Sequence, residues 1–212
     1  MLIYNPVIRY NNSVKKRWLL VGLGNPEGKY FQTYHNVGFL SADALAIRLD
    51  LQFKKKGNLL VTDYTTSDSK VFILKPLTYM NLSGQAVLAV ARKQKITPEN
   101  IIVFTDDLYI NKGNIRITLG GSHAGHNGIR SINDLLKTNQ YIKIRIGIKS
   151  EKPLKSTTAN YVLSKIDEES RAQIDHAIEK TVNVAMSLIS GETVSKMQNL
   201  YNTVNPDDKN SK

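Results

Sequence analysis

Short apolar runs alternate with helical stretches along most of the chain, and this alternation restricts the fold more than any other feature of the sequence. The strand-like runs cover residues 18–22, 59–64, 71–74, 101–105, 114–119 and 141–148, and the helical stretches cover 37–49, 82–95, 129–136 and a long segment after 164. Strands that alternate with helices build a sheet with helices on its faces. The sequence therefore predicts an α/β fold, a single domain with a twisted mixed β-sheet flanked by helices.

Turn and capping residues indicate where several of these elements meet. Polar residues between the runs 59–64 and 71–74 predict a hairpin, and the alternation of apolar and polar residues over 141–148 predicts a half-buried strand. Residues 149–160 are polar and predict a mobile loop. The last long helix is expected to begin near Ser164 or Asp167, which together resemble a capping box, and to end before Gly191 as its C′ residue.

The composition excludes several classes of protein. No stretch approaches the run of about 18 apolar residues that a membrane span needs, and the absence of cysteine excludes disulfides, thiolate catalysis and cysteine-based metal sites. The first seventeen residues carry four basic side chains and no acid, without the apolar core of a secretory signal. We therefore expect a cytoplasmic protein with a basic tail at 1–17, one α/β domain at 18–200 and a polar tail at 201–212. A short organellar targeting segment is the alternative for the basic start.

Positive charge is concentrated in most of the chain rather than spread evenly. The 212 residues have a net charge of +11, yet residues 1–166 hold 24 Lys and Arg against 10 Asp and Glu, while residues 167–212 hold 5 against 8. Clustered cations gain affinity for phosphates by releasing condensed counterions, so a nucleic acid is the first candidate partner. A solvated lysine surface with no such partner would give the same composition.

The first polar loop, residues 22–36, follows the first strand-like run. Its Gly22-x-Gly24 is typical of dinucleotide-binding sites, but those sites need a helix to begin at once so that its amides meet the pyrophosphate. Pro26 and the polar segment up to His35 delay the helix by about a dozen residues. A tight turn that needs glycine torsions is the simpler explanation of the two glycines.

The second polar loop covers residues 75–84. Asn81 or Ser83 is expected to cap the helix that follows, and Met80 is expected to pack in the core.

The third polar loop covers residues 118–128 and carries four glycines before a helix. Such a loop brings backbone amides close to an anionic group or a developing oxyanion, which favours a ligand site over a plain linker. His123 and His126 leave a metal site as an alternative, although no carboxylate or further histidine lies at ligand spacing nearby in the sequence.

The most strand-like run of the chain ends in Asp106, at the position where open α/β sheets build their sites. An aspartate that accepts from an imidazole N–H fixes the tautomer and leaves the other nitrogen free to take a proton from water. Spacing does not select among His35, His123 and His126 for that role, whereas His176 falls on the exposed side of the last helix. A plain turn residue remains the alternative for Asp106. With no cysteine and no Gly-x-Ser-x-Gly elbow, hydrolysis by an activated water is the simplest acyl-transfer chemistry available.

Five motifs in order along the chain resemble the signature of bacterial-type peptidyl-tRNA hydrolases. They are Gly22-Leu23-Gly24-Asn25-Pro26 with Tyr30 and His35-Asn36, Tyr79-Met80-Asn81-Leu82-Ser83-Gly84, Asp106-Asp107-Leu108, Gly125-His126-Asn127-Gly128, and Arg145-Ile146-Gly147-Ile148. The resemblance runs from about Trp18 into the final helix. It implies the peptidyl-tRNA hydrolase fold and an enzyme that cleaves the ester between a peptide and the 3′-terminal ribose, which recycles tRNA from prematurely released peptidyl-tRNA.

Matched position by position, the resemblance implies a role for each site residue. His35 would be the general base that activates water, Asp106 would orient its imidazole, and Asn25 would distinguish a peptidyl group from a free aminoacyl group. The implied binding residues are Tyr30 and Tyr79 at the terminal nucleotides, Met80 in the pocket wall, Asn81 and Asn127 at the peptide or the tRNA 3′ end, and His126 and Arg145 in support of the site or the acceptor stem.

The resemblance also implies the partners and the alternative function. It implies that the reaction needs no metal and no cofactor. It implies a peptidyl-tRNA partner, bound by its acceptor stem and 3′ end, and no membrane partner. We expect a monomer. Some relatives act in organellar RNA splicing without hydrolysing anything, so a non-catalytic RNA-binding protein on the same scaffold is the alternative. Intact Asn25, His35, Asp106 and Asn127 argue against it. Tyr79 departs from the pattern, since phenylalanine is common there.

Overall fold

A computed structural model describes residues 15–150 and 157–202, which form one sheet with helices on both faces. The strands are β1 (Lys16–Gly22), β2 (Lys54–Lys56), β3 (Leu59–Thr65), β4 (Ser69–Pro76), β5 (Ile101–Asn111), β6 (Ile115–Leu119) and β7 (Ile142–Lys149). The α-helices are α1 (Val37–Arg48), α2 (Ser83–Gln94), α3 (Asn127–Leu136), α4 (Thr158–Val162), α5 (Glu168–Ile189) and α6 (Val194–Tyr201). The predicted single α/β domain with a mixed sheet is confirmed.

The order of the strands places four parallel strands at the centre of the sheet. The order is β2-β3-β4-β1-β5-β7-β6, in which β1 is parallel to β4 and β5, and β7 is parallel to β5. Strands β2, β3 and β6 pair antiparallel with their neighbours. The carboxyl ends of β4, β1, β5 and β7 therefore meet at one edge, where ligand sites of such sheets are built.

Two apolar layers cover the faces of the sheet. One layer packs against α2 and α3, and the other packs against α1, α5 and α6. In β1, Leu19, Leu20 and Val21 are all 0% exposed, so both faces of this strand are covered. Near-continuous apolar runs are the composition expected of parallel strands that are buried on both sides.

Several local predictions are confirmed by the structure. Strands β3 and β4 form the predicted antiparallel hairpin, with Val61 opposite Leu74. Helices α1 and α2 begin and end within one residue of the stretches 37–49 and 82–95. Gly191 follows the C-cap of α5 with a φ of +103°, the left-handed conformation expected of a C′ glycine.

Strand β7 differs from the half-buried strand predicted at 141–148. Lys143 is 0% exposed and Arg145 is 7% exposed, so the polar face is covered as completely as the apolar face. The covering segment is the loop at 120–126, whose carbonyls accept hydrogen bonds from both side chains. Alternation shows which side chains are polar, but it does not show that another part of the chain crosses over them.

Two other polar segments also differ from their predictions. Asp106 lies inside β5, which continues to Asn111 with a register shift against β7, so it is not a turn residue. The loop predicted at 149–160 is strand at Lys149 and helix from Thr158, and residues 151–156 lie outside the described residues.

The predicted capping box is wrong because Asp167 is itself the N-cap of α5. Its carboxylate accepts from the Ser170 N–H at 2.8 Å, and Ser164 lies before the helix, where its hydroxyl donates to the Tyr161 carbonyl. In the second polar loop the N-cap of α2 is Leu82, so neither Asn81 nor Ser83 caps this helix, and the Ser83 hydroxyl donates to the Met80 carbonyl. Strand β2 and helix α6 were not predicted, since both are too short for a periodic pattern.

The ends of the chain require two smaller adjustments. The predicted basic tail at 1–17 overlaps the start of β1, and the predicted polar tail at 201–212 overlaps the end of α6. The rest of these tails, 1–14 and 203–212, lies outside the described residues. Within the described ranges, no helix combines the length and the apolar composition needed to cross a bilayer.

Candidate active site

A cleft of about 760 Å³ opens at the carboxyl edge of the central strands. Nine of the ten residues with a role implied by the sequence line it: Asn25, His35, Tyr79, Met80, Asn81, Asp106, His126, Asn127 and Arg145. Tyr30 is the one residue of that set outside the lining. The segments after β1, β4 and β6, together with β5, β7 and α4, supply the walls.

The carboxylate of Asp106 lies between two imidazoles in this cleft. The His35 Nδ1 lies 3.0 Å from each oxygen of Asp106, and the His126 Nε2 lies 2.9 Å from Oδ1. The side chains of Asp106, His126 and His35 are 4%, 7% and 12% exposed, so His35 is the one that solvent reaches most. Asp106 comes from β5, His35 from the 3₁₀ turn that precedes α1, and His126 from the N-cap of α3.

Hydrogen bonds assign the proton to one nitrogen of each ring. The His126 Nδ1 accepts from the N–H groups of Gly128 and Ile129 at 3.1 and 3.3 Å, so the proton is on Nε2 and is donated to Asp106. The His35 Nδ1 faces the carboxylate and must donate to it. The His35 Nε2 therefore keeps its lone pair and can accept a proton.

Burial and charge act in opposite directions on the pKa values of this pair. Burial lowers the pKa of His35, but the charge and the hydrogen bond of Asp106 outweigh it and raise the pKa above 6.5. Burial raises the pKa of Asp106, but His35 and His126 hold it well below its usual range. Asp106 is thus a carboxylate at neutral pH, and His35 is a stronger base than a free imidazole.

Asn25 is held rigidly beside the two histidines. Its backbone N–H donates to Asn36 Oδ1 at 2.8 Å, and Asn36 Nδ2 donates back to its carbonyl at 3.0 Å. Its side-chain oxygen accepts from the Met80 N–H at 3.2 Å. The side chain is fixed with its amide nitrogen as the remaining donor. Asn36 was named in the sequence motif without a role, and the structure shows that it positions Asn25.

Aromatic residues stand at the rim of the cleft. The side chain of Tyr79 is 58% exposed and that of Tyr109 is 70% exposed. The neighbouring Glu27 carboxylate raises the pKa of the Tyr79 hydroxyl. Glu27 pairs with Lys29 at 2.8 Å, and the Lys29 amine lies 4.9 Å from the centroid of the Tyr30 ring. Tyr30 is half-buried and is linked towards Tyr79 through Lys29 and Glu27, but it does not line the cleft. Exposed rings such as those of Tyr79 and Tyr109 can stack on unpaired bases.

Arg145 is largely buried and is bound by other groups of the protein. Its Nη1 pairs with Asp107 Oδ2 at 3.0 Å, and the two side chains are 9% and 8% exposed. Its Nη2 donates to the carbonyl of Ser122 in the third polar loop. Asn81 and Asn127, in contrast, are exposed at the cleft surface.

The fold shows which of the histidines that spacing left open lie beside Asp106. His35 and His126 both contact Asp106, whereas the His123 Nδ1 accepts from Gly125 N–H and His123 does not line the cleft. His176 is exposed on α5, as predicted. No motif in the sequence pointed to the four lining residues from α4 and its end, which are Thr158, Ala159, Val162 and Leu163.

Among the described residues, His35, Asp106 and His126 form a group of metal-binding donor types whose ligand atoms lie within 4.8 Å of one another. No carboxylate lies near His126 in the sequence, and the fold brings Asp106 to it. Both contacts of the carboxylate have the lengths of hydrogen bonds, and both are explained by the tautomers above.

Comparisons with known proteins identify the relatives of this chain. The family model described as peptidyl-tRNA hydrolase matches residues 19–211. A peptidyl-tRNA hydrolase of Thermodesulfovibrio yellowstonii is 42% identical over 186 residues, which are 87% of this chain and 98% of that protein. A peptidyl-tRNA hydrolase of Neisseria gonorrhoeae is 41% identical over 184 residues, which are 86% of this chain and 94% of that protein.

Solved structures agree with these sequence matches. A crystal structure of the peptidyl-tRNA hydrolase from Acinetobacter baumannii superposes with a TM-score of 0.79 at 34% identity, covering 86% of this chain and 92% of that one. A complex of a peptidyl-tRNA hydrolase with N-propanol superposes with a TM-score of 0.81 at 34% identity, covering 89% of this chain and 96% of that one.

Proposed function

This chain belongs to the peptidyl-tRNA hydrolase family, and we propose that His35, Asp106 and Asn25 carry out its reaction in the cleft described above. The chain is a peptidyl-tRNA hydrolase, which cleaves the ester between a peptide and the 3′-terminal ribose of tRNA. The residue assignment rests on the hydrogen bond between His35 Nδ1 and the Asp106 carboxylate, because this bond leaves Nε2 of His35 free in the cleft.

The reaction needs one base and one positioned water. The His35 Nε2 takes a proton from the water as the water oxygen attacks the ester carbonyl, and Asp106 stabilises the imidazolium that forms. The tetrahedral intermediate then collapses, the bond to the ribose oxygen breaks, and His35 returns the proton to that oxygen. The products are a tRNA with a free 3′ hydroxyl and a peptide carboxylic acid, which keeps the second proton of the water and then loses it to solvent as it ionises.

Asn25 supports discrimination between peptidyl and aminoacyl esters. A peptidyl ester presents an amide carbonyl next to the last residue, where an aminoacyl ester presents an ammonium group. The Asn25 oxygen is occupied by Met80 N–H, so its amide nitrogen is the group available to substrate. That nitrogen donates to a carbonyl but repels an ammonium, which favours the peptidyl ester.

The remaining residues have binding and supporting roles in this proposal. Tyr30 and Tyr79 stack on the terminal nucleotides, Asn81 and Asn127 hold the peptide or the 3′ end, Met80 lines the pocket, and His126 and Arg145 support the site. The basic region, residues 1–166, binds the phosphates of the acceptor stem. Such contacts do not depend on base sequence, which suits an enzyme that acts on many tRNAs. We propose further that the enzyme works as a cytoplasmic monomer, with residues 18–200 as its catalytic domain between the tails at 1–17 and 201–212.

No observation favours the alternative of a non-catalytic RNA-binding protein, since the relatives named above are hydrolases. An RNA-binding protein would have no need of an imidazole with a free nitrogen beside a buried carboxylate.

The test compares N-acetyl-aminoacyl-tRNA with unblocked aminoacyl-tRNA as substrates, with and without EDTA. We expect rapid release from the blocked substrate, little from the unblocked one, and no effect of EDTA. Asn25→Asp places a carboxylate oxygen where the amide nitrogen was, and should lower the preference for the blocked substrate; Asn199→Asp, at an exposed position of α6, is the control. Equal cleavage of both substrates by the wild type would contradict the assigned role of Asn25, and complete dependence on a divalent ion would contradict the mechanism.

A further inference from the structure

Lys143 is a buried lysine that the reaction above does not use. It is 0% exposed, and its amine donates to the Gly120 carbonyl at 2.6 Å and to the Asn139 carbonyl at 3.3 Å. The amine also lies 4.4 Å from the centroid of the Tyr141 ring. A buried ammonium is costly unless polar groups surround it, so these two carbonyls and the ring are the groups that make its burial possible.

Three side chains together hold three successive carbonyls of one loop. Lys143 binds the carbonyl of Gly120, Asn139 Nδ2 lies 3.4 Å from that of Gly121, and Arg145 Nη2 binds that of Ser122. Lys143 and Arg145 are two residues apart in β7, so they point to the same face of the sheet. The loop crosses this face.

The held loop leads directly into the active site. Strand β6 ends where β7 begins, since Leu119 pairs with Ile142, whereas Asp106 pairs with Ile146 further along β7. The chain must therefore run back along the face of β7 from Gly120 to bring His126 beside Asp106. Residues 120–126 cover that distance, and side chains of β7 and its preceding turn bind the first three of their carbonyls.

We propose that Lys143 is a positioning residue, which fixes the loop at 120–126 and through it the placement of His126 on Asp106 and of Asn127 in the cleft. This inference rests on the proposed roles of His35 and Asp106. Lys143 does not touch the substrate, and its contribution is the geometry of the groups that do.

The ionisation of Lys143 gives this role a dependence on pH. Burial, and next the charge of Arg145, lower the pKa of Lys143 to about 8. The groups that face it are the Gly120 carbonyl from the loop, the Asn139 carbonyl and the Tyr141 ring from the turn before β7, and Arg145 from its own strand. An ammonium is a stronger donor than a neutral amine, so the loop is held less firmly above pH 8. Activity should fall there.

The stability of the fold should change in the opposite direction. Because the pKa of Lys143 is about 8 in the fold and about 10.5 when unfolded, the unfolded chain binds more protons between these values. This group therefore raises the free energy of unfolding as pH rises from 8 to 10.5. A loss of activity with a gain in stability is a combination that a merely structural lysine does not produce.

The test compares Lys143→Met and Lys143→Arg with Lys196→Met, which removes an exposed lysine of α6, outside the basic residues 1–166. Lys143→Met should lower kcat by up to about 100-fold, as a displacement of about 1 Å at a reacting centre does, and should abolish the fall in kcat near pH 8. Lys143→Arg, which stays protonated, should keep kcat at pH 7 within about threefold and lack the fall as well. Lys196→Met should behave as the wild type.

Salt dependence separates positioning from a direct contact with tRNA. Loss of one phosphate contact would reduce the slope of log KM against log salt by about 0.9, whereas loss of a positioning residue leaves the slope unchanged.

A wild-type kcat in Lys143→Met, or an effect confined to KM with a reduced slope, would overturn the proposal. His35→Ala in the same assay reports on the proposed function itself, so a loss in His35→Ala without any effect of Lys143 overturns this inference alone. Should Lys143→Met fail to fold, the pH profile of Lys143→Arg decides: an unchanged fall near pH 8 overturns the proposal.

Discussion

At the scale of single residues, His35 and Asp106 depend on each other for the ionisation that catalysis needs. The carboxylate raises the pKa of His35, and the neighbouring imidazoles lower the pKa of Asp106. At a pH above the pKa of His35, the Asp106 carboxylate therefore accepts a hydrogen bond from Nδ1 of the ring, and Nε2 carries no proton.

Asp106→Asn should shift the pH dependence of the reaction to lower pH. The base must be unprotonated, so kcat/KM rises with pH through the pKa of His35, which Asp106 raises. Without the carboxylate that pKa falls, and the midpoint of the rise in kcat/KM moves down, while the rate itself falls by up to about 10⁴-fold because the amide no longer selects the tautomer. A pH–rate profile measures both, with Asp134→Asn, exposed on α3, as the control. An unchanged midpoint would contradict the assigned role of Asp106.

Residue chemistry was predictable from the sequence, but the choice of partners was not. Asp106 stood out because it ends an apolar run, and His35 because it ends a polar loop. They are 71 positions apart, and only the packing of α1 against β5 brings them to 3.0 Å. The role of His126 as N-cap of α3 and donor to Asp106 required the fold for the same reason.

At the scale of elements, the segments that carry the site are held by close contacts between helices. Gly84 in the first turn of α2 lies against α3, where an added Cβ would come within 2.2 Å of the Ser131 carbonyl oxygen. The Gly84 N–H also donates to Ser131 Oγ at 3.0 Å. This contact joins the helix that follows Met80 and Asn81 to the helix that begins at Asn127.

Gly84→Ala should destabilise the protein and disturb the cleft together. The backbone of Ser131 cannot move aside easily, so the added methyl group should lower the free energy of unfolding by about 1–3 kcal/mol. Denaturant unfolding measures this change. Gly28→Ala is the control, because a Cβ there meets nothing within 4 Å. Equal stabilities of the two variants would contradict the close packing of α2 on α3.

Long elements with a periodic pattern were predictable from the sequence. The burial and position of elements that pack against distant parts of the chain were not. Helices α1 and α2 and the hairpin of β3 and β4 followed from local patterns. The polar positions of β7 suggested a solvated face, but the loop at 120–126 covers them and binds their side chains. Helix α4 is five residues long, and its place in the cleft wall depends on contacts that no local pattern records.

At the scale of the whole molecule, the net charge of +11 accords with a substrate that is a polyanion. The basic region that holds 24 of the 29 Lys and Arg also contains every proposed site residue, whereas the acidic excess falls on α5 and the residues after it. This distribution was predictable from the sequence. How it lies around the cleft depends on the fold.

Salt should weaken binding of tRNA without changing the chemical step. The KM for N-acetyl-aminoacyl-tRNA should rise with salt concentration, with a slope of log KM against log salt of about 0.7–0.9 for each phosphate contact, while kcat stays constant. The same blocked aminoacyl group on a short CCA oligonucleotide lacks the acceptor stem and is the matched control. Its KM should depend on salt much less. Equal slopes for both substrates would contradict binding of the acceptor stem by the basic region.

The central claim is that His35 is the base that activates water, and single-turnover cleavage by His35→Ala tests it most directly. With saturating enzyme and N-acetyl-aminoacyl-tRNA, release of the N-acetyl amino acid should fall by about 10²- to 10⁴-fold, the contribution of a positioned general base, while the Kd for tRNA stays within about threefold. His176→Ala, which removes an exposed histidine of α5, should cleave at the wild-type rate. Wild-type release by His35→Ala, or a loss explained entirely by weaker tRNA binding, would contradict the account.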